Sequence, residues 1–232
     1  KALGPQKVLG VMLPERDSSP ASKTLATELA AHFGVSAVEE NISPTLEGLG
    51  CYRRRDEAVR RVFPECTDRH KMKITIAANI LEKDSLNYFK LTIESPDGAE
   101  KSQRMPLSEY LQIVAASNMK QRSRMLMLYY HAERLNRAVA GTGNKDEHDL
   151  GFFVKYGDGG ADFKPIAHLF KVQVYMLAEY LGVPQSIRSR IPTTDTYSAE
   201  VTQTEFFYGV PFEQLDLLWY AMEQEIPAGE VA

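Results

Sequence analysis

Gly141-Thr142-Gly143-Asn144-Lys145-Asp146-Glu147, followed by Gly151-Phe152-Phe153-Val154-Lys155-Tyr156-Gly157-Asp158-Gly159-Gly160-Ala161-Asp162, sets the fold class for the rest of the chain. It comes directly after Ala138-Val139-Ala140, a short apolar run that reads as a buried strand. Glycine lets a backbone approach a ligand closely, and lysines with carboxylates manage phosphate and metal charge. A strand that ends in such a loop and leaves into a helix puts free N–H groups at its carboxyl end, where open parallel sheets bind ligands. The pattern reads as a nucleotide site. Taken singly, Asp146 and Glu147 are explained as well by charge complementing a helix N-terminus, and Gly157 to Gly160 by a surface loop.

Upstream, Lys7-Val8-Leu9-Gly10-Val11-Met12-Leu13 is a continuous apolar run that suits a strand buried on both faces, and Pro14 ends it. Ser18-Ser19-Pro20 signals a helix start, Leu25, Leu29, Ala30 and Phe33 keep helical spacing, and Gly34 closes the helix before a strand over Val35 to Ile42. Strand, helix and strand in this order imply a parallel sheet with a right-handed crossover. Further on, Met119 to Leu135, His168 to Leu181 and Phe212 to Glu223 read as helices. Residues 44–117 are less regular. Arg53-Arg54-Arg55 with Arg60-Arg61 reads as a solvated helix face, and Asn87 to Glu94 alternates with Phe89, Leu91 and Ile93 on one side before a Ser95-Pro96-Asp97-Gly98 turn. A β-hairpin insertion is expected there, as a surface decoration or a dimer element.

The 232 residues, 44% hydrophobic, suffice for one domain with a sizeable core. A net charge of −4 argues against nucleic-acid binding through a basic surface. Two cysteines without metal spacing imply a reducing, cytoplasmic setting, and no apolar run reaches the length of a membrane span. His32, His70, His131, His148 and His168 share no spacing that suggests a site. The opening Lys1-Ala2-Leu3-Gly4-Pro5 reads as the last turn of a helix, and the closing residues as the approach to another, so both ends look cut.

Asn118-Met119-Lys120-Gln121-Arg122-Ser123-Arg124-Met125 stands before the glycine loop, the aromatic-lysine segment after it, and Pro192-Thr193-Thr194-Asp195 after the next helix. In this order and at these spacings the segments resemble NAD synthetase, an ATP-dependent amidating family of the adenine nucleotide α-hydrolase group, from about Val8 to Glu213. The resemblance implies an α/β fold with a doubly wound, Rossmann-like parallel sheet, in a single domain over residues 1–232. It also implies ATP, deamido-NAD and ammonia as reactants, Mg2+ as cofactor, and a homodimer. On matching positions it assigns Met12, Leu13, Thr142, Lys171 and Thr193 to ATP, with Lys171 stabilising charge in catalysis. It assigns Arg122, Lys155 and Asp162 to deamido-NAD, and Glu147 to the metal. The family's S-G-G-x-D-S phosphate loop is absent from these residues and is expected immediately before Lys1; its basic C-terminal segment is absent too. No glutaminase domain is seen, which matches the ammonia-using form, although a glutaminase partner could feed it. The rival readings are another ATP-pyrophosphatase acting on a different carboxylate or carbonyl, and a non-catalytic nucleotide-binding module.

Overall fold

The computed structural model describes residues 2–76 and 88–231. Its first unit follows the expected rhythm. Strand β1 (Leu9–Met12) pairs in parallel with β2 (Ser36–Glu39), and helix α1 (Pro20–Phe33) forms the crossover. Pro20 occupies the first turn, where its missing N–H costs nothing. Gly34 ends the helix with φ 65°, a conformation that a Cβ would disfavour. Strand β1 is half-buried, not buried on both faces: among the described residues it pairs only with β2. Val139 is buried as expected, but the run around it forms an isolated parallel bridge, Ala140 to Phe163, in place of a full strand.

Helices α2 (Ser43–Gly48) and α3 (Cys51–Val62) lead to three strands, β3 (Lys71–Ile76), β4 (Phe89–Glu94) and β5 (Glu100–Arg104), paired antiparallel in that order. The expected hairpin is β4–β5. Asn87, expected to open β4, lies outside the described residues. The insertion is no decoration: Met72, Ile74, Leu91 and Ile93 share the largest apolar cluster among the described residues with Ala58, Val59 and Ile113. Leu91 and Ile74 are fully buried, and each such side chain contributes about 1.5–3 kcal/mol.

Helix α4 runs from Leu107 to Arg134, starting twelve residues before the expected Met119. In its first twelve residues Leu107 and Leu111 are exposed while Ser117 is buried, which breaks the apolar stripe that would have revealed them. Helices α5 (Lys145–Asp149), α6 (Lys171–Tyr180) and α7 (Gln185–Arg188) follow. A π-helical turn (Thr204–Tyr208), α8 (Phe212–Glu223) and α9 (Ala228–Val231) complete the described chain.

Lys120 has no exposed surface. Its ammonium donates to Glu15 Oε1 at 2.9 Å, Asp17 Oδ2 at 2.7 Å and the Thr196 carbonyl at 2.7 Å. Tyr52 donates its hydroxyl to Glu15 at 2.8 Å, and Arg55 pairs with Asp17. Arg55 is therefore buried, unlike its exposed neighbours Arg53, Arg54, Arg60 and Arg61. The solvated-face reading of that run fails at this one position, because the helix turns Arg55 towards the ion cluster. Burial alone would raise the Asp17 carboxyl, but the Arg55 and Lys120 charges outweigh it and hold it below the usual range.

Lys120→Ala leaves two buried carboxylates short of a partner, so it is expected to cost about 3–5 kcal/mol in urea unfolding. Arg53→Ala, on the exposed face of α3, is expected to stay within about 0.5 kcal/mol. Equal small losses for the two variants would contradict this account of the cluster.

Candidate active site

The glycine segment is held as two parallel ends. Gly141 N–H donates to the Phe163 carbonyl at 2.8 Å, and Asp162 N–H to the Val139 carbonyl at 3.0 Å. Asp162 Oδ2 in turn accepts from Val139 N–H at 2.7 Å, and its Oδ1 from the Tyr129 hydroxyl at 2.9 Å. Asn144 then begins α5 with a reciprocal cap: its side chain accepts from Glu147 N–H, and Glu147 Oε2 accepts from Asn144 N–H, both at 3.1 Å. This leaves Glu147 Oε1 facing Lys171 Nζ at 4.0 Å. Burial raises the Glu147 carboxyl against the opposing pull of Lys171.

Asp146, the residue between, has no exposed surface. Its Oδ2 accepts from Asn144 Nδ2 at 2.8 Å and Lys171 N–H at 2.9 Å, while Asp216 Oδ2 accepts from Val172 N–H at 2.8 Å. Together they cap the first turn of α6. The other oxygen of each is buried with no hydrogen-bond partner among the described residues. A proton on Asp146 would supply the donor that Asp216 lacks. Burial, helped by the Asp216 charge, pushes the Asp146 carboxyl up to about 6. Burial also raises Asp216.

A cavity of about 450 Å3 opens beside this cap. Thr142, Gly143 and Glu147 form one wall, Asn118 and Gln121 of α4 another, and Thr194 to Tyr197 a third, without Asp195. An aromatic face completes it. Phe89 of β4 stacks on Tyr110 of α4 at 4.6 Å, and Phe152 on Phe207 of the π-helical turn at 4.7 Å. Thr194 Oγ1 and Gln203 Oε1 are buried in this lining without a hydrogen-bond partner among the described residues. The aromatic-lysine loop is fastened to α4: Arg122 Nε donates to the Lys155 carbonyl at 3.1 Å and Tyr129 to the Gly160 carbonyl at 2.8 Å. Gly157 allows this close approach, since a Cβ there would meet Gln121 Cβ at 2.9 Å.

Of the expected site residues, Thr142 and Glu147 line the cavity, Lys171 stands behind Glu147, and Thr193 precedes the lining Thr194. Lys155 is exposed, Arg122 binds the loop backbone, and both Asp162 oxygens already accept within the fold. Met12 and Leu13 belong to a separate groove of about 310 Å3 with Ser18, Arg124 and Asp195. Their carbonyls accept from Glu40 N–H at 2.9 Å and Arg124 Nε at 3.2 Å. Sequence reasoning missed Asn118, Gln121, Gln203 and the aromatic face. Only the first two left a signal, as polar residues three apart on one helix face. His131 is buried against Glu40 at 2.7 Å and His148 pairs with Asp149 at 2.9 Å; neither lines the cavity.

Parallel strands, a crossover helix and a capped glycine loop at the mouth of a polar and aromatic cavity are the features of an α/β fold of the nucleotide-binding class. Residues 51–232 match the NAD synthase family. The NH(3)-dependent NAD(+) synthetase of Rhizobium meliloti is 51% identical over 231 residues, covering 100% of this chain and 69% of that protein. The protein of the same description from Mesorhizobium japonicum is 49% identical, covering 100% of this chain and 72% of its own. The NMN synthetase of Francisella tularensis shares the fold, with a TM-score of 0.61 at 23% identity over 92% of this chain and 66% of that one. The chain belongs to the NAD synthase family.

A carboxyl whose folded pKa lies above its unfolded value stabilises fully below the unfolded value, and this stabilisation is lost as pH rises through the folded one. The Asp146 contribution therefore declines between about pH 4 and about pH 6. Asp146→Asn donates to Asp216 without a titrating proton. It is expected to flatten that part of the stability curve and to remain at least as stable as wild type at about pH 8. Urea titrations over this range check it, and an unchanged slope contradicts this role of the Asp146 proton.

Proposed function

We propose that this chain carries out the ATP-dependent amidation of deamido-NAD to NAD, with ammonia as nitrogen donor and AMP and pyrophosphate released. One observation carries the reading. Glu147 and Lys171 stand 4.0 Å apart at the end of the glycine loop, and Glu147 lines a cavity with an aromatic face and buried polar groups that lack partners among the described residues. The chain around them is 51% identical to an NH(3)-dependent NAD(+) synthetase.

In the first step a carboxylate oxygen of the nicotinate forms a bond to the α-phosphorus of ATP, and the bond from that phosphorus to the departing pyrophosphate breaks. In the second, ammonia attacks the activated acyl carbon, AMP leaves with the oxygen, and the nitrogen gives up a proton to solvent. Neither step needs a protein nucleophile, so these residues act through position and charge. Lys171 neutralises the ATP phosphates, and the Thr142 and Thr193 hydroxyls hold the same ligand. Met12 and Leu13 line the adenine. Arg122, Lys155 and Asp162 hold the dinucleotide, Asp162 through a lone pair left over from its two internal bonds. Thr194 and Gln203 offer their partnerless oxygens to the reacting end.

Glu147 suits Mg2+. Its Oε2 is committed to the helix cap, while Oε1 accepts no hydrogen bond among the described residues. A magnesium ion borne by phosphates needs only one or two carboxylates, and among the described residues no cluster of three or more ligands forms a cage. Bound there with ATP, it would neutralise charge on the departing pyrophosphate. The homodimer reading is supported by Leu126 and Tyr130, 65% and 55% exposed and four residues apart on α4. Sedimentation should show a dimer that Leu126→Asp weakens; a wild-type monomer contradicts it.

Assay of the full-length protein with ATP, deamido-NAD and ammonium is expected to yield NAD, AMP and pyrophosphate in equal amounts. Lys171→Met should lower kcat about 100-fold. Turnover with a different carboxylate alone would assign the chain to another adenylating reaction, and no ATP turnover with any would make it a binding module.

A further inference from the structure

A second cavity, about 360 Å3, lies where the loop after β1 meets α3 and the start of β3, and it shares no lining residue with the first. Its lining carries five permanent cations, Arg16, Arg55, Arg60, Arg69 and Lys71, against three carboxylates, Asp17, Asp56 and Asp68. Four of the cations form ion pairs. Arg55 is bound to Asp17 and Asp56, Arg60 pairs with Asp68 at 2.9 Å, and Lys71 approaches Glu94 at 3.5 Å. Arg16 pairs more loosely, at 3.6 Å with both Asp17 and Asp56, and no hydrogen bond from its guanidinium is present among the described residues. Arg69 is exposed and makes neither an ion pair nor a hydrogen bond among them.

The position of Arg16 is set in advance. Its guanidinium carbon lies 3.8 Å from the centroid of the Tyr52 ring, and the Tyr52 hydroxyl is tied to the buried Glu15 at 2.8 Å. A cation held on an aromatic face keeps the edge donors of its fork available, and a side chain already placed loses little freedom when it binds. Two planar forks at the wall of one enclosed space match the oxygen geometry of a phosphate, which each can grip with paired N–H groups. The volume admits a pyrophosphate or a mononucleotide and excludes a folded partner.

We propose that this cavity is a second anion site, which takes the phosphate group of a small ligand between Arg16 and Arg69, apart from the cavity assigned to the amidation. The proposal stands whether or not that assignment holds, because none of its residues belongs to the first cavity.

Cys66 lines the same space and is half-buried, whereas Cys51 is 1% exposed, so alkylation of the native protein by neutral iodoacetamide reports on this cavity. At constant ionic strength, saturating inorganic pyrophosphate or AMP is expected to slow Cys66 alkylation about tenfold, following the free-site fraction. Arg16→Ala/Arg69→Ala should lose the protection. Arg69→Ala alone, at an exposed position, should weaken it severalfold and keeps the test readable should the Arg16 change disturb its loop. Lys171→Ala, in the first cavity, should retain it. The proposal is overturned if neither anion protects the wild-type protein, if chloride at equal ionic strength protects as well, or if protection survives in the arginine variants. Loss of protection in Lys171→Ala would equally assign the effect to the first cavity.

Discussion

The ammonium of Lys120 has three acceptors and no exposed surface. Removing an ion of this kind from solvent costs several kcal/mol even after relaxation, so the arrangement holds only where all three acceptors stay in place. Those acceptors come from distant parts of the chain: Glu15 and Asp17 from the loop after β1, and Thr196 from the loop that walls the first cavity. Tyr52 and Arg55 extend the cluster into α3. The strict geometry of one buried charge thus fixes where the parallel unit, the two central helices and the 193–197 loop meet. The candidate active site inherits that placement, since Thr194, Thr196 and Tyr197 belong to its lining.

The second constraint is local. Helix α5 has only five residues, too few to be stable alone, and it is held by its reciprocal cap and by the buried Asp146. The cap directs one oxygen of Glu147 inward to Asn144 and leaves the other towards Lys171, so the feature that starts the helix also aims the carboxylate. Asp146 and Asp216 then bind α5 and α8 to the start of α6 through backbone donors. The insertion contributes in the same way at both levels: Leu91 and Ile93 build the main core, and Phe89 on the same strand turns to the cavity. A change of ring size at Phe89 would therefore be felt by the ligand space as well as by packing.

Legibility followed how locally each feature is determined. The bounds of α1 could be read from Ser19-Pro20 and Gly34, α8 from Phe212 to Glu223, and the α5 cap from an asparagine three residues before a glutamate, because these signals act within a few residues. The first twelve residues of α4 were hidden because Leu107 and Leu111 are exposed while Ser117 is buried, a pattern that depends on partners elsewhere in the chain. Arg55 was misread for the same reason. Lys71-Met72-Lys73-Ile74 alternates as a strand should, yet its partner β4 and its role in the core are long-range facts. The two-cavity arrangement could not be foreseen at all: Met12 and Leu13 are separated from Thr142 and Glu147 by packing that no spacing encodes.

The central claim is that the substrate carboxylate itself attacks the α-phosphorus of ATP. Deamido-NAD labelled with 18O in both carboxylate oxygens tests it directly. In a turnover with ammonia, one labelled oxygen is expected in AMP and the other in the amide of NAD. Label in inorganic phosphate, or AMP free of label while NAD forms, would contradict it.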